Sequence, residues 1–182
     1  MLFRSIPIGS FIIATERLPE ELAHELSPKN RMIFDCMRFL NYFRLWDNRM
    51  IFGGRAAFFP EDSNTIHKSA EILKREMIQV YPQLKNVAVD YVWGGTLDFA
   101  FDMMPHVGKM DGLYYSLGYA GHGVAMGTHL GMKVAEGLIS GNLNDIPFTR
   151  YAFPSAPLGV YDGRPWFLPL AWLWFRMLDL ID

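Results

Sequence analysis

The segment Tyr114–Gly131 (YYSLGYAGHGVAMGTHLG) constrains the chain more than any other. A short apolar run enters a cluster of glycines and then takes up a helical pattern, which predicts a strand turning sharply into a helix. Such a junction gathers unpaired backbone N–H groups and the positive end of a helix dipole at one point. Electron-rich groups are favoured there: phosphate, carboxylate, or the pyrimidine carbonyl edge of a flavin. Gly118, Gly121 and Gly123 leave out Cβ atoms where a flat or bulky ligand would clash. Gly127, Gly131 and Ala135 recur at four-residue spacing, a smooth helix face able to pack closely on a sheet. Glycine spacing alone also describes a plain packing corner, and the dinucleotide pattern G-x-G-x-x-G is absent.

Upstream, the chain reads as an antiparallel sheet rather than a βαβ series. Apolar, β-branched or aromatic runs predict strands over 6–15, 32–37, 39–45 and 50–52. Trp46-Asp47-Asn48-Arg49 joins the last two as a hairpin-like turn. Short and long helices are predicted over 19–26 and 63–80, the second with Ile66, Ala70, Leu73, Met77 and Val80 on one stripe. A strand over 87–93 places Val87, Val89 and Tyr91 on one face, and Gly94-Gly95 breaks it. Residues 98–111 read as a loop ending in the Asp111-Gly112 turn, followed by a strand over 113–117. A helix over 124–139 stops at Gly141. The proline-rich tail leads to a terminal helix near 170–181. Its apolar run falls short of the roughly 20 residues that span a bilayer, so packing against the protein is expected rather than membrane attachment.

Composition sharpens this picture. Of the 182 residues 51% are hydrophobic and 15% aromatic, which excludes disorder and leaves apolar surface for a cofactor, partner or further domain. A net charge of −2 gives no basic footprint for nucleic acid. The single cysteine, Cys36, excludes an internal disulfide framework and fits a reducing, cytoplasmic compartment; it reads as a small buried residue in a strand. Met1-Leu2-Phe3-Arg4 leads straight into a strand without a signal peptide, as expected of a piece of a longer protein.

Several motifs, taken in order, resemble the C-terminal half of the D-amino-acid oxidase-like family of FAD-dependent oxidoreductases, especially its gamma-glutamylputrescine oxidase-like branch. They are Pro7-Ile8-Gly9-Ser10, Phe52-Gly53-Gly54-Arg55, Trp93-Gly94-Gly95, Pro105-His106-Val107-Gly108 and Gly118-Tyr119-Ala120-Gly121-His122-Gly123-Val124. The resemblance runs nearly end to end. It implies an α+β fold: an antiparallel substrate-domain sheet with flanking helices, plus the C-terminal strand–helix part of an FAD-binding domain. Residues 1–92 would be the substrate-binding sheet and helix, 93–145 the FAD-domain portion, and 146–182 the tail and terminal helix. FAD is the implied cofactor, with Gly121, His122, Gly123 and Val124 beside the flavin ring and Gly94 and Gly95 nearby. The implied reaction passes a hydride from the carbon next to an amine to the flavin. An N-terminal segment holding most of the nucleotide would be missing, and the isolated chain would be inactive.

One departure bears on substrate. Where family members that oxidise amino acids carry an arginine after W-x-G, this chain has Thr96-Leu97-Asp98. Without that clamp for an α-carboxylate, an extended amine is expected ahead of an amino acid. Asp98 and Asp102 could hold the cationic amine, or form an exposed acidic loop. Tyr42 and Arg44 share a strand face and are candidates to line a substrate pocket. Arg55 reaches either a ligand or solvent, and His122 either hydrogen-bonds the flavin or caps the turn. Trp93 reads as core or pocket wall, and His106, His122 and His129 do not pair at metal-ligand spacing. A non-catalytic α/β binding module using the same glycine turn, and a peripheral membrane protein anchored by its aromatic tail, are the competing classes.

Overall fold

A computed structural model describes residues 4–37, 40–54, 63–156, 161, 163 and 165–178. The chain forms two compact units, one of Ile8–Thr96 with Trp166–Asp182, the other of Met1–Pro7 with Leu97–Pro165.

The first unit is built on a five-stranded sheet. Strands β1 (Ser5–Thr15), β2 (Ile33–Phe34), β3 (Asn41–Trp46), β4 (Arg49–Gly54) and β5 (Val89–Ala100) lie in the order β2-β3-β4-β1-β5. The pairs β1/β4, β2/β3 and β3/β4 are antiparallel, as the sequence pattern requires. Asp47 (φ 50°) and Asn48 (φ 55°) close the β3–β4 hairpin in the left-handed region. A two-residue turn of that hand matches the twist of the strands, and Asn and Asp tolerate it better than most residues.

Alternation places Phe11 and Ile13 of β1, Phe43 and Leu45 of β3, and Met50 and Phe52 of β4 in one buried cluster. Helix α2 (Ser63–Val80) contributes Leu73 and Met77 to it, and Leu84 follows from a 3-10 turn at Pro82–Leu84. Phe43 and Phe52 stack with centroids 5.2 Å apart, and Tyr81 meets Phe43 edge-on at 5.5 Å. Fully buried Thr15 accepts the Met50 N–H at 2.9 Å through its hydroxyl, so that polar side chain is paired. Helix α1 (Glu20–Leu26) begins after Pro19 and buries Ala23 and Leu26.

The second unit holds the hairpin β6 (His106–Met110) and β7 (Leu113–Leu117), helix α3 (Gly123–Ser140) and a 3-10 turn at Pro147–Arg150. Val107, Leu130 and Ile146 form its core, with Tyr119, Met126, Val134, Leu143 and Phe148 packed around them. Helix α3 ends at Gly141 in the left-handed conformation (φ 73°), the stop predicted from sequence.

Four expectations are corrected. Gly94-Gly95 does not break a strand, because β5 continues through both to Ala100. Residues 98–111 are not one loop: Asp111 (φ 51°) and Gly112 (φ 82°) make a tight turn that pairs β6 with β7. The strand begins at Val89 rather than at Val87, so of the three residues expected on one strand face only Val89 and Tyr91 belong to β5. Cys36 is exposed and lies outside any strand; β2 is only two residues long and sits at the sheet's edge, where nothing covers it among the described residues.

The terminal helix α4 (Leu168–Leu178) buries Leu168 but exposes Leu170, Leu173, Trp174 and Met177, so it is less fully packed than expected. Among the described residues no helix is long and apolar enough to cross a membrane.

The stacked pair gives a direct test of the sheet unit's core. Phe52→Ala removes a ring with no solvent exposure and should cost about 3–5 kcal/mol, read as a lowered midpoint in urea denaturation.

Candidate functional site

The strand–turn–helix junction is tied down by Asp98 near the end of β5. One carboxylate oxygen, Oδ2, accepts the Gly118 N–H at 3.1 Å, and the Asp98 carbonyl accepts the Ala120 N–H at 3.2 Å. Gly118 (φ 80°), Ala120 (φ 50°) and Gly121 (φ 96°) all occupy the left-handed region. At Gly118 there is no room for a side chain, since a Cβ would lie 3.0 Å from the Met104 carbonyl oxygen and 3.3 Å from the Ala100 methyl. Gly121 is open by contrast, with Leu97 Cδ1 at 3.9 Å as its nearest neighbour. The two glycines therefore serve different ends: the first admits a close approach of backbone, the second leaves a surface clear.

Helix α3 starts just beyond. His122 is its N-cap residue, exposed and without a side-chain capping bond. The N–H groups of Gly123, Val124 and Ala125 have no acceptor among the described residues, and Val124 is 92% exposed. An uncapped first turn of an 18-residue helix offers donors and positive potential to an electron-rich group. The Tyr119 ring folds back along the helix, 3.5 Å from where a Cβ of Gly127 would lie, while its hydroxyl donates to Ser116 Oγ at 2.8 Å. Gly127 is thus used inside the unit, whereas Gly131 and Ala135 are exposed.

Beside the junction a buried histidine pairs with an exposed aspartate, a contact that sequence reasoning missed. His106 is fully buried, stacks on Phe153 at 4.6 Å, and donates from Nε2 to Asp102 Oδ1 at 3.0 Å. Its Nδ1 is buried without a partner among the described residues. Burial acts to raise the Asp102 pKa, but the hydrogen bond from His106 and the Met104 N–H outweigh it and hold the carboxylate below its ordinary value. A four-residue spacing outside a helix carries no pairing signal, so the sequence could not reveal this contact. Asp102, a candidate amine ligand by sequence, bonds His106 through Oδ1.

On the sheet unit, Tyr42 and Arg44 do share a face of β3. The Tyr42 ring covers Gly53 so closely that no Cβ fits there, and its hydroxyl lies 3.1 Å from Ser10 Oγ. Arg44 lines a cavity of about 570 Å³ with Ala14, Trp46, Ile51, Tyr91 and Trp93, so Trp93 is a pocket wall. Gly94 and Gly95 belong to β5 in this unit, and Gly95 has no atom within 4 Å of a built Cβ. Arg55 lies outside the described residues. His129 is exposed on α3, and among the described residues no group of three or more His, Cys, Asp or Glu could hold a metal.

An antiparallel sheet unit joined to a hairpin–turn–helix unit with an open helix start is an α+β architecture shared with solved oxidase and dehydrogenase structures. L-proline dehydrogenase from P. horikoshii superposes with a TM-score of 0.59 at 19% identity, over 80% of this chain and 38% of that one. Glycine oxidase from Geobacillus kaustophilus gives 0.58 at 16% identity, over 82% and 40%. At the level of sequence the chain belongs to the DAO family of FAD-dependent oxidoreductases, whose model matches residues 2–137. It is 38% identical over 141 residues to the gamma-glutamylputrescine oxidoreductase of Escherichia coli (strain K12), covering 76% of this chain and 32% of that protein. It is 35% identical over 161 residues to a probable oxidoreductase OrdL of Haemophilus influenzae, covering 87% and 35%. The chain therefore spans about a third of the length of these relatives.

The Asp102–His106 pair predicts an acid-sensitive element. A carboxylate with a depressed folded pKa stabilises the fold fully above its unfolded value and loses that contribution as pH falls through the folded one. Asp102→Asn keeps an acceptor for His106 but cannot titrate. Its stability should fall less steeply than wild type below the ordinary carboxylate range, measured by denaturation across a series of acid pH values.

Proposed function

We propose that this chain supplies the substrate-side sheet and the flavin-facing turn of an FAD-dependent enzyme that oxidises an amine. The observation that carries the reading is the open start of α3: among the described residues the N–H groups of Gly123, Val124 and Ala125 have no acceptor, and the glycine turn before them is clear on its outer side at Gly121. Those features fit the flat, electron-rich carbonyl edge of a flavin. Membership of an FAD-dependent family supports the same cofactor.

The chemistry the flavin supplies is acceptance of a hydride from the carbon beside the substrate amine, which leaves an imine for water to hydrolyse. The chain's own residues would prepare that step. Gly121, His122, Gly123 and Val124 would hold the ring edge, and the helix N–H groups would favour negative charge on it. Asp98 holds the turn through one oxygen; its other oxygen, Oδ1, has no partner among the described residues and would be the acceptor for a cationic amine. Tyr42 would line the substrate side of the sheet unit. The run Thr96-Leu97-Asp98 offers no arginine to an α-carboxylate, which favours an extended amine over a simple α-amino acid. The 38% identical relative is a gamma-glutamylputrescine oxidoreductase, which supports an amine substrate. In this reading the sheet unit is the substrate side and the hairpin–turn–helix unit the closing part of the FAD-binding domain. The lone cysteine accords with a cytoplasmic setting.

The test is the flavin content of the protein isolated from its own cells, by native mass spectrometry and visible absorbance. One FAD per assembly, bleached when an amine is added without air, is the expected result. A flavin-free species of this length would overturn the reading and leave a non-catalytic binding module. His122→Ala, at an exposed position without a capping bond, should change stability by no more than about 0.5 kcal/mol while reducing flavin retention or turnover. Unchanged flavin occupancy and kinetics would defeat that assignment.

A further inference from the structure

The face of the sheet opposite its apolar core carries a second feature, independent of the flavin reading. Arg44 of β3, Ile51 of β4 and Ala14 of β1 are cross-strand partners and form one row; Trp46 and Arg49 are partners two residues along. Tyr91 and Trp93 of β5, with Arg17 and Asp47, complete a cavity of about 570 Å³. That volume is within the usual range of small-molecule sites, roughly 300–1,000 Å³.

Its three guanidinium groups are not equivalent. Arg17 is paired with Asp47. Arg49 is paired with Asp90, donates to the Thr15 carbonyl at 2.6 Å, and lies over the Tyr91 ring at 5.2 Å. Arg44 makes one contact, from Nε to the Leu45 carbonyl at 3.3 Å, and its two terminal nitrogens have no acceptor among the described residues. Two arginines are thus neutralised and fixed while the third presents a free planar fork. The walls around it are the rings of Trp46, Tyr91 and Trp93, with Ile51 and Ala14 between them.

We infer that this cavity binds a small organic carboxylate, with Arg44 gripping the carboxylate and the indole and phenol rings covering an apolar or flat body. One uncompensated positive charge matches a monoanion, and a guanidinium fork matches the two oxygens of a carboxylate. The aromatic walls give such a ligand an apolar contact that inorganic phosphate lacks.

The full chain, isotopically labelled, is titrated with benzoate, benzamide and inorganic phosphate while the tryptophan indole N–H signals are followed by NMR. Benzoate should shift the Trp46 and Trp93 signals saturably and leave those of Trp166 and Trp174 in place, with signals assigned from Trp→Phe variants. Neutral benzamide and phosphate should bind at least about tenfold more weakly, the weight of one charge-assisted hydrogen-bonded pair. Arg44→Gln, at an exposed position, should lose about tenfold in benzoate affinity with an unchanged circular dichroism spectrum, and Arg44→Lys should fall between it and wild type. Equal binding of benzoate and benzamide, tighter binding of phosphate, or an Arg44→Gln variant that binds like wild type would each overturn the inference. None of these readings depends on flavin content, so its failure is separate from failure of the oxidoreductase reading.

Discussion

Two hydrogen bonds from one residue, Asp98, decide where helix α3 begins. The backbone between Gly118 and Gly121 spends three of its four residues in the left-handed region, and one of them is Ala120. A non-glycine residue there costs on the order of 1–2 kcal/mol, so the turn needs an external hold. Asp98 provides it at both ends, through its carboxylate to Gly118 and its carbonyl to Ala120. Because side chains alternate along a strand, a slip of one residue in β5 would carry that carboxylate to the opposite face and release Gly118. The accessible N–H groups of α3 thus depend on which way the end of β5 turns Asp98.

That dependence explains what the sequence could and could not reveal. The glycine turn, α3 and its stop at Gly141 were legible because each rests on local backbone chemistry. So was the β3–β4 hairpin, whose Asp47-Asn48 turn sits between alternating runs. Gly94-Gly95 misled because glycine weakens a strand without ending it; the strand persists where its neighbours hold it. The β6–β7 hairpin had its signal in Asp111-Gly112, a dipeptide favoured in tight hairpin turns, but treating 98–111 as one loop hid the strand before it. Asp98 could be seen as an acidic residue near the site, yet its bond to a backbone 20 residues away could not.

The pairing of buried His106 with Asp102 shows a different limit. Its ring is packed between a carboxylate and Phe153, and Arg4 lies over the other aromatic ring at 5.5 Å. Each contact joins segments far apart in sequence or unrelated by any regular period, so no pattern announces them. Among the described residues His106 leaves Nδ1 unpaired in a buried place, a cost of about 1–3 kcal/mol that the stacking and the charged partner must offset.

The sheet unit separates stability from recognition by the simplest rule of a strand. Phe43 and Leu45 point into the core, so Tyr42, Arg44 and Trp46 must point the other way. Only cross-strand register then decides what those three meet: Gly53 for Tyr42, Ile51 for Arg44, and Arg49 for Trp46. The first of these pairs packs ring on backbone, while the other two open into the aromatic cavity. Residues on that face can change without touching the Phe43–Phe52 stack that holds the sheet to α2.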